Sequence, residues 1–267
     1  MLWAMHELTN VAFSHYVEKA LWALDRFGVP YVEHRYMPLF HMVGVYRAHG
    51  GRQGSRDKAS SRFSTPVLRT PEGHHICDSE AIVRYASDTF APQGQGLYGP
   101  QVDDALLVRL HDVLGPHSRR FAYGAMFERP GMLDDMARHN VGHWQARSFS
   151  MLYPVVRSQM ARILGIDARR LERSREKIWA EVDWLNGLLS DGRPYLAGDR
   201  FSAADLSMAC MLAPGILPEQ YRAWLPPLDA FSDSVQALVR ELREQPAGRH
   251  ALRMFREERK RVVTAPS

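Results

Sequence analysis

Cys77 and Cys210 are the only cysteines in a chain of 267 residues. Two thiols cannot build a framework of several disulfides, and neither lies in a Cys-x-x-Cys pair or at metal-ligand spacing, which argues against a disulfide-stapled scaffold and a zinc module. Long apolar runs are also missing. The best of them, "LSMACMLAPGILP" from Leu206 to Pro218, is broken by Pro214 and Gly215 and falls short of the roughly 20 residues that a bilayer span requires. The opening "MLWAMHELTN" has no basic start, no sustained apolar region and no small-residue cleavage site, so a cytoplasmic protein is expected. There is no internal repeat, and no low-complexity segment beyond the polar end "TAPS".

Charge of one sign is scarce as a block. The net charge is +4, but the cations are scattered among acids, which is weak evidence for nucleic acid. The one basic stretch, "RHALRMFREERKR", is interrupted by Glu257 and Glu258 and carries no aromatic stacking platform. It is expected to be a solvated terminal helix, with neither a nucleic acid nor a membrane as partner.

What the chain does have is the composition of a globular protein, 45% apolar and 24% charged, long enough for two domains. The first ninety residues alternate strand-like and helix-like periods, and the rest is helical in period, so a boundary is expected between them. The expected division is residues 1–90, a Gly- and Pro-rich linker at 91–101, and an all-helical part at 102–267. In the first part "LWAMHEL" suits a strand, and Val17, Ala20, Leu21, Leu24 and Phe27 mark one face of a helix that stops at Gly28 before Pro30. "YVEHRY" alternates as a second strand, and "PVLRT" and "HHIC" suit two short strands around a turn at Pro71 to Gly73. A helix from about Ser79 to Phe90 closes the unit. This order, βαβ followed by ββα, predicts an α+β chain with a thioredoxin-like N-terminal domain and an all-α C-terminal domain. Helices are expected over about 102–129, 132–164, 168–190, 203–213 and, with breaks, 229–260. The sharpest start signal is "DRFSAADLSMACML", where Ser202 and Asp205 have capping-box spacing and Phe201 can staple onto Leu206.

Four motifs in this order, "SHYVEKALWAL", "STPVL", "CDSEAIVRYAS" and "YLAGDRFSAADLSMA", resemble the cytosolic glutathione transferases over almost the whole chain. The "VEKALWALD" helix followed by "PLFH" is most similar to bacterial members of unassigned class. The resemblance implies glutathione as co-substrate, no metal, and a homodimer. It implies that Ser14 donates a hydrogen bond to the glutathione sulfur, helped by the positive end of the helix it begins. A plain N-cap is the other role open to Ser14. Asp78 and Ser79 match the pair that meets the γ-glutamyl end, the carboxylate facing the α-ammonium and the hydroxyl and helix-start amides facing the α-carboxylate. Here too the alternative is a simple helix cap. Pro66 is implied to be cis, leaving the Val67 backbone to pair with the cysteinyl part.

The segment from His41 to Arg62 departs from the family's pattern. It is glycine-rich, basic and poorly periodic, so a mobile loop is expected, with Arg52, Arg56, Lys58 or Arg62 reaching the glycyl carboxylate or an anionic second substrate, or else simply solvated. His15 stands where family members often have proline. Tyr123, Phe127, Trp144 and Phe149, with Arg119 and Arg120 beside them, fall in the segments that supply the family's second-substrate pocket, although aromatics at helical spacing also suit a core. Asp135, His139 and His143 share a helix face but lack a further ligand, so packing is favoured over a metal site.

The expected function is that of a transferase that activates the glutathione thiol with Ser14 and conjugates it to a hydrophobic electrophile, as in detoxification. Two alternatives stand beside it. One is a glutathione-dependent isomerase or lyase in a biosynthetic or degradative pathway, and the other a non-catalytic binding or assembly protein on the same fold.

Overall fold

A computed structural model of the chain describes residues 5–49 and 62–259. The N-terminal part runs β1 (His6–Val11), α1 (His15–Arg26), β2 (Tyr31–Tyr36), α2 (His41–Ala48), β3 (Val67–Arg69), β4 (His75–Cys77) and α3 (Ser79–Phe90). Its four strands form one mixed sheet in the order β2-β1-β3-β4, with β1 parallel to β2 and antiparallel to β3. This is the expected thioredoxin-like unit. Strand β1 is central and buried along nearly its whole length, which is why "HELTNV" does not alternate as an edge strand would. The face of α1 marked by Val17, Ala20, Leu21 and Leu24 is fully buried, and Gly28, at a φ of 63°, turns the chain out of the helix where an L side chain would be strained.

Residues 91–103 carry no helix or strand. Helices then fill the chain: α4 (Asp104–Arg109), a π-helical stretch Leu110–Leu114, α5 (Gly115–Glu128), α6 (Met132–Asn140), α7 (His143–Leu164), α8 (Ala168–Leu188), α9 (Ala203–Ile216), α10 (Asp233–Glu244) and α11 (Pro246–Glu258). The span expected as one helix over 132–164 is two, parted at Val141 and Gly142. Helix α9 is apolar all round, and every residue but Pro214 is buried, the signature of a helix at the centre of a core. Its start is held by the expected capping box. The Asp205 carboxylate accepts the Ser202 amide at 3.1 Å and hydroxyl at 2.8 Å, the Leu196 amide at 2.7 Å and a nitrogen of His250 at 3.0 Å. Phe201 stacks on Trp22 of α1.

Two expectations need correction. The segment after Tyr36 is not irregular throughout, because His41–Ala48 forms α2, with Gly44 admitted where an added Cβ would lie 2.3 Å from the Tyr36 ring. Arg52, Arg56 and Lys58 lie outside the described residues, and Arg62 is exposed. The terminal basic stretch is not a solvated helix either. Ala247, His250, Ala251, Met254 and Phe255 of α11 are buried, and Arg259 just beyond it is 4% exposed.

Arg259 reaches back to α1. Its Nε donates to Glu18 at 2.7 Å and its Nη1 to Asp25 at 2.8 Å. Tyr31 donates to the other Asp25 oxygen at 2.7 Å, and the Arg222 amide to Glu18 at 3.1 Å. Burial pushes the Glu18 carboxyl upward, while Arg259 and the Arg222 amide pull it back. Removing one member of such a buried set leaves the others uncompensated and costs about 3–5 kcal/mol. Arg259→Leu is therefore expected to lower the unfolding free energy by about that amount, and Glu18→Gln added to it to recover part of the loss, both read from urea unfolding.

Candidate functional site

Strand β1 leads through a tight turn into α1, in which the Ser14 amide donates to Val11 at 3.0 Å and the Ser14 carbonyl accepts Glu18 at 2.9 Å. Ser14 is the N-cap residue by position, yet its hydroxyl makes no capping bond. Ser14 instead lines a narrow cavity of about 70 Å³. Phe13 and His15 line it on the same side, and Arg119, Tyr123, Met126, Pro214, Leu217, Tyr221 and Val239 from the helical part close it. Tyr221 ties the two sides together by donating to the Phe13 carbonyl at 3.1 Å.

The structure sorts the aromatic candidates. Tyr123 lines the cavity with its ring edge on Phe13. The other three do not reach it. Phe127 packs against Tyr123 and Arg157, Phe149 is fully buried beside Phe40 and Tyr153, and Trp144 is 81% exposed. Of the two arginines, Arg119 lines the cavity, whereas Arg120 is turned to the Leu164 carbonyl and the Ser174 hydroxyl. The apolar wall from Leu217 to Val239 was not anticipated, because those residues bear no motif and meet Ser14 only through the fold.

The other half of the site begins at Pro66, whose bond from Thr65 is cis. Val67 opens β3, opposite Thr9 of β1 and Cys77 of β4. Asp78 follows β4 at a φ of 85°, a conformation that a non-glycine residue holds at a cost of order 1–3 kcal/mol and that clusters at functional sites. One of its carboxylate oxygens caps α3 through the Glu80 amide at 2.7 Å, and the other meets His111 Nε2 at 3.2 Å. Burial works against the charged carboxylate, but the hydrogen bond and charge of His111, the Glu80 amide and the nearby Lys19 together hold Asp78 below the usual carboxylate range. Ser79 is 1% exposed and its hydroxyl has no hydrogen-bond partner. His111 Nδ1 is likewise buried without one. Buried polar groups are nearly always paired, so two orphans beside one carboxylate at the start of a twelve-residue helix mark a place built to receive polar groups. The helix itself is pinned by Glu80, which takes an ion pair from the wholly buried Lys19 and a hydrogen bond from Tyr98 at 2.6 Å.

His111 joins the two halves. It lies in the π-helical stretch, where its carbonyl accepts the Tyr16 hydroxyl at 2.9 Å while its ring reaches Asp78; single π turns of this kind often sit at functional sites. The same helix comes close to α1 at Gly115, where an added Cβ would lie 2.2 Å from the Tyr16 hydroxyl oxygen. His15 then donates to the Gly115 carbonyl at 3.2 Å. The histidine found in place of the usual proline is thus a buried strut between α1 and α5. Asp135, His139 and His143 do not share a helix face, because the first two lie on α6 and His143 opens α7 beyond the break at Val141 and Gly142; His139 stacks on Trp224 at 4.1 Å and Asp135 pairs with Arg138.

Burial, and next the positive charge of Arg119, push His15 down from 6.5 to about 3. Between those values the unfolded chain binds a proton that the folded chain refuses, so stability is present above pH 6.5 and lost as pH falls below it. The loss is up to ~1.4 kcal/mol per pH unit. His15→Gln is expected to flatten the fall in unfolding free energy between pH 6.5 and pH 4 by about one proton's worth, measured by urea titrations at a series of pH values.

Family models agree with this arrangement. One described as "Glutathione S-transferase, N-terminal domain" matches residues 13–89, and one described as "Glutathione S-transferase, C-terminal domain" matches residues 168–231. Solved structures share the fold at low identity. A glutathione S-transferase of Ceriporiopsis subvermispora in complex with glutathione is 18% identical with a TM-score of 0.59, over 97% of this chain and 100% of that one. The theta class glutathione S-transferase from Xanthomonas axonopodis pv. citri with glutathione bound is also 18% identical, with a TM-score of 0.52 over 97% of this chain and 99% of that one. A glutathione transferase from Phanerochaete chrysosporium is 15% identical with a TM-score of 0.59, covering 97% of this chain and 99% of that one. No match among curated protein sequences was found.

Proposed function

We propose, for a chain that belongs to the cytosolic glutathione transferase superfamily, that it binds glutathione against α3, activates its thiol with Ser14 and transfers it to an electrophile held in the cavity beside Ser14. The observation that carries this reading is the buried, partnerless hydroxyl of Ser79 next to Asp78. A carboxylate, a hydroxyl and the free amides of a helix start are together the complement of an α-amino acid end, and glutathione has one in its γ-glutamyl group. Val67, following Pro66, would offer its backbone to the cysteinyl part. The Ser14 hydroxyl, unused in capping, is available to the sulfur. A free thiol has a pKa of about 8.5, and lowering it two units takes about 2.7 kcal/mol, within the ~1.5–3 kcal/mol of a charge-assisted hydrogen bond plus a helix terminus. A serine cannot form the mixed disulfide of a reductase. The same thiolate serves conjugation, isomerisation or lyase steps, and a cytoplasmic homodimer acting in detoxification is the setting this reading expects.

A second reading has its own support. Both oxygens of Asp78 are already engaged within the chain, by the Glu80 amide and by His111. That suits a binding or assembly protein that retains the fold without turnover.

Calorimetric titration with glutathione separates them at the first step. Wild type is expected to bind, and Ser79→Ala to bind about 10–150-fold more weakly, the worth of a hydrogen bond to a charged group. Because that hydroxyl has no partner to lose, the variant's unfolding free energy is expected to hold or rise slightly. Absence of binding by wild type would remove the transferase reading. Ser14→Ala is expected to keep glutathione binding, to return the bound thiol toward a pKa of about 8.5 by thiolate absorbance, and to slow conjugation about 10–150-fold near pH 6.5. Conjugation absent from wild type despite binding would favour the second reading.

A further inference from the structure

The cavity beside Ser14 holds a charge that the expected hydrophobic electrophile does not need. Its walls are apolar, and no carboxylate lines it. Arg119 projects from α5 at its edge, exposed to solvent, with its guanidinium 5.9 Å from the Tyr16 ring. Its charge is felt by His15, Tyr16 and Tyr123 around the start of α1. Neighbouring arginines are tied down: Arg109 is held by Glu181 in a two-bond fork, Arg120 by Ser174 and Leu164, and Arg129 by the Ala230 carbonyl. Among the described residues no carboxylate pairs with Arg119 and no hydrogen bond engages it. A guanidinium in that state, over an apolar recess, is a ready fork for a carboxylate whose carbon chain enters the recess.

We propose that the second substrate is a short, unsaturated carbonyl compound carrying a carboxylate, and that Arg119 binds that carboxylate while the carbon chain sits beside Ser14. The proposal deepens the transferase reading and rests on it. The size of the recess favours a short chain: an enclosed cavity of about 150 Å³ holds benzene, and here there is about 70 Å³, room for a few aliphatic carbons. In the reaction the thiolate sulfur bonds to the β-carbon, the carbon–carbon π bond opens toward the carbonyl, and the α-carbon takes up the proton that the thiol released. Glutathione is thereby added across the double bond, with no oxidant or reductant required.

Two enones of matched chain test the idea, 4-oxo-2-pentenoate with a carboxylate and 3-penten-2-one without one. For each, kcat/KM is divided by the uncatalysed rate constant with glutathione. The ratio of the two quotients is expected to favour the anion in wild type, to fall about tenfold or more in Arg119→Gln, and to recover in part in Arg119→Lys. A ratio that does not move would overturn the assignment. So would an equal loss on both probes accompanied by a higher thiol pKa, which would assign Arg119 to the sulfur instead. A second arm is independent of turnover: ligand-observed NMR titrations of pentanoate against pentanamide are expected to show a preference for the anion that Arg119→Gln abolishes. Absence of glutathione binding with that preference intact would sink the transferase reading and leave Arg119 as an anion site; no preference in wild type would sink the Arg119 proposal alone.

Discussion

Arg259 clasping Glu18 and Asp25 is the contact on which the placement of the site depends. Helix α1 carries Ser14, His15 and Tyr16 at its first turn, and it packs against α3 and α9 with two buried carboxylates. Two buried carboxylates on one helix repel each other and are costly to desolvate. They are tolerated because the chain returns, more than two hundred residues later, with a guanidinium whose planar fork reaches both. The Arg222 guanidinium lies 3.8 Å from Asp25 and 3.7 Å from Glu33, so β2 and the wall of the cavity share the same charge set. An apolar replacement of the whole set could be as stable, but it would fix the angle of α1 less sharply. The angle of α1 decides where the Ser14 hydroxyl points.

From that fixed helix the two halves of the site are coupled through α5 and the π turn before it. Tyr16 holds the His111 carbonyl, His111 holds Asp78, and His15 holds Gly115. A π turn is a poor way to build a helix and a good way to present a carbonyl and a ring to different partners. The strain at Asp78, a positive φ in a residue that is not glycine, is maintained by the cap on Glu80 and the contact with His111. A ligand ammonium arriving at Asp78 must share or displace that imidazole, so occupation of the first half is felt at Tyr16, in the first turn of the helix that Ser14 begins.

Much of this was legible beforehand where local chemistry decides local structure. The β2 strand spans the alternating "YVEHRY", α3 begins at Ser79, and the capping box at Ser202 forms as its spacing requires. Asp78 and Ser79 do share the start of α3. What escaped depends on contacts distant in sequence. Residues 41–48 interrupt their apolar positions with a glycine and leave Met42, Val43 and Tyr46 exposed, so no buried stripe announces a helix, yet they fold as one with Gly44 against Tyr36. Arg259 looked like one more cation in a basic tail, and only its partners on α1 show why it is buried. Tyr221, Leu217 and Val239 carry no motif, and their role follows from α9 ending beside Phe13. Trp144 and Phe149 misled because helical spacing says which residues share a face and not what that face meets.

Charge around the first turn of α1 is sorted by sign, and this gives the site a direction. On one side Asp78 and the start of α3 suit a zwitterion whose ammonium and carboxylate are one carbon apart. On the other, Arg119 stands at the edge of an apolar recess. Ser14 lies between, at the positive end of α1. On the proposed reading a negative sulfur at that point would be stabilised by the helix terminus, beside a buried His15 that stays neutral. On that reading the two reactants would meet at one hydroxyl from opposite sides, and proximity of that kind supplies much of the rate that a weakly activated addition needs.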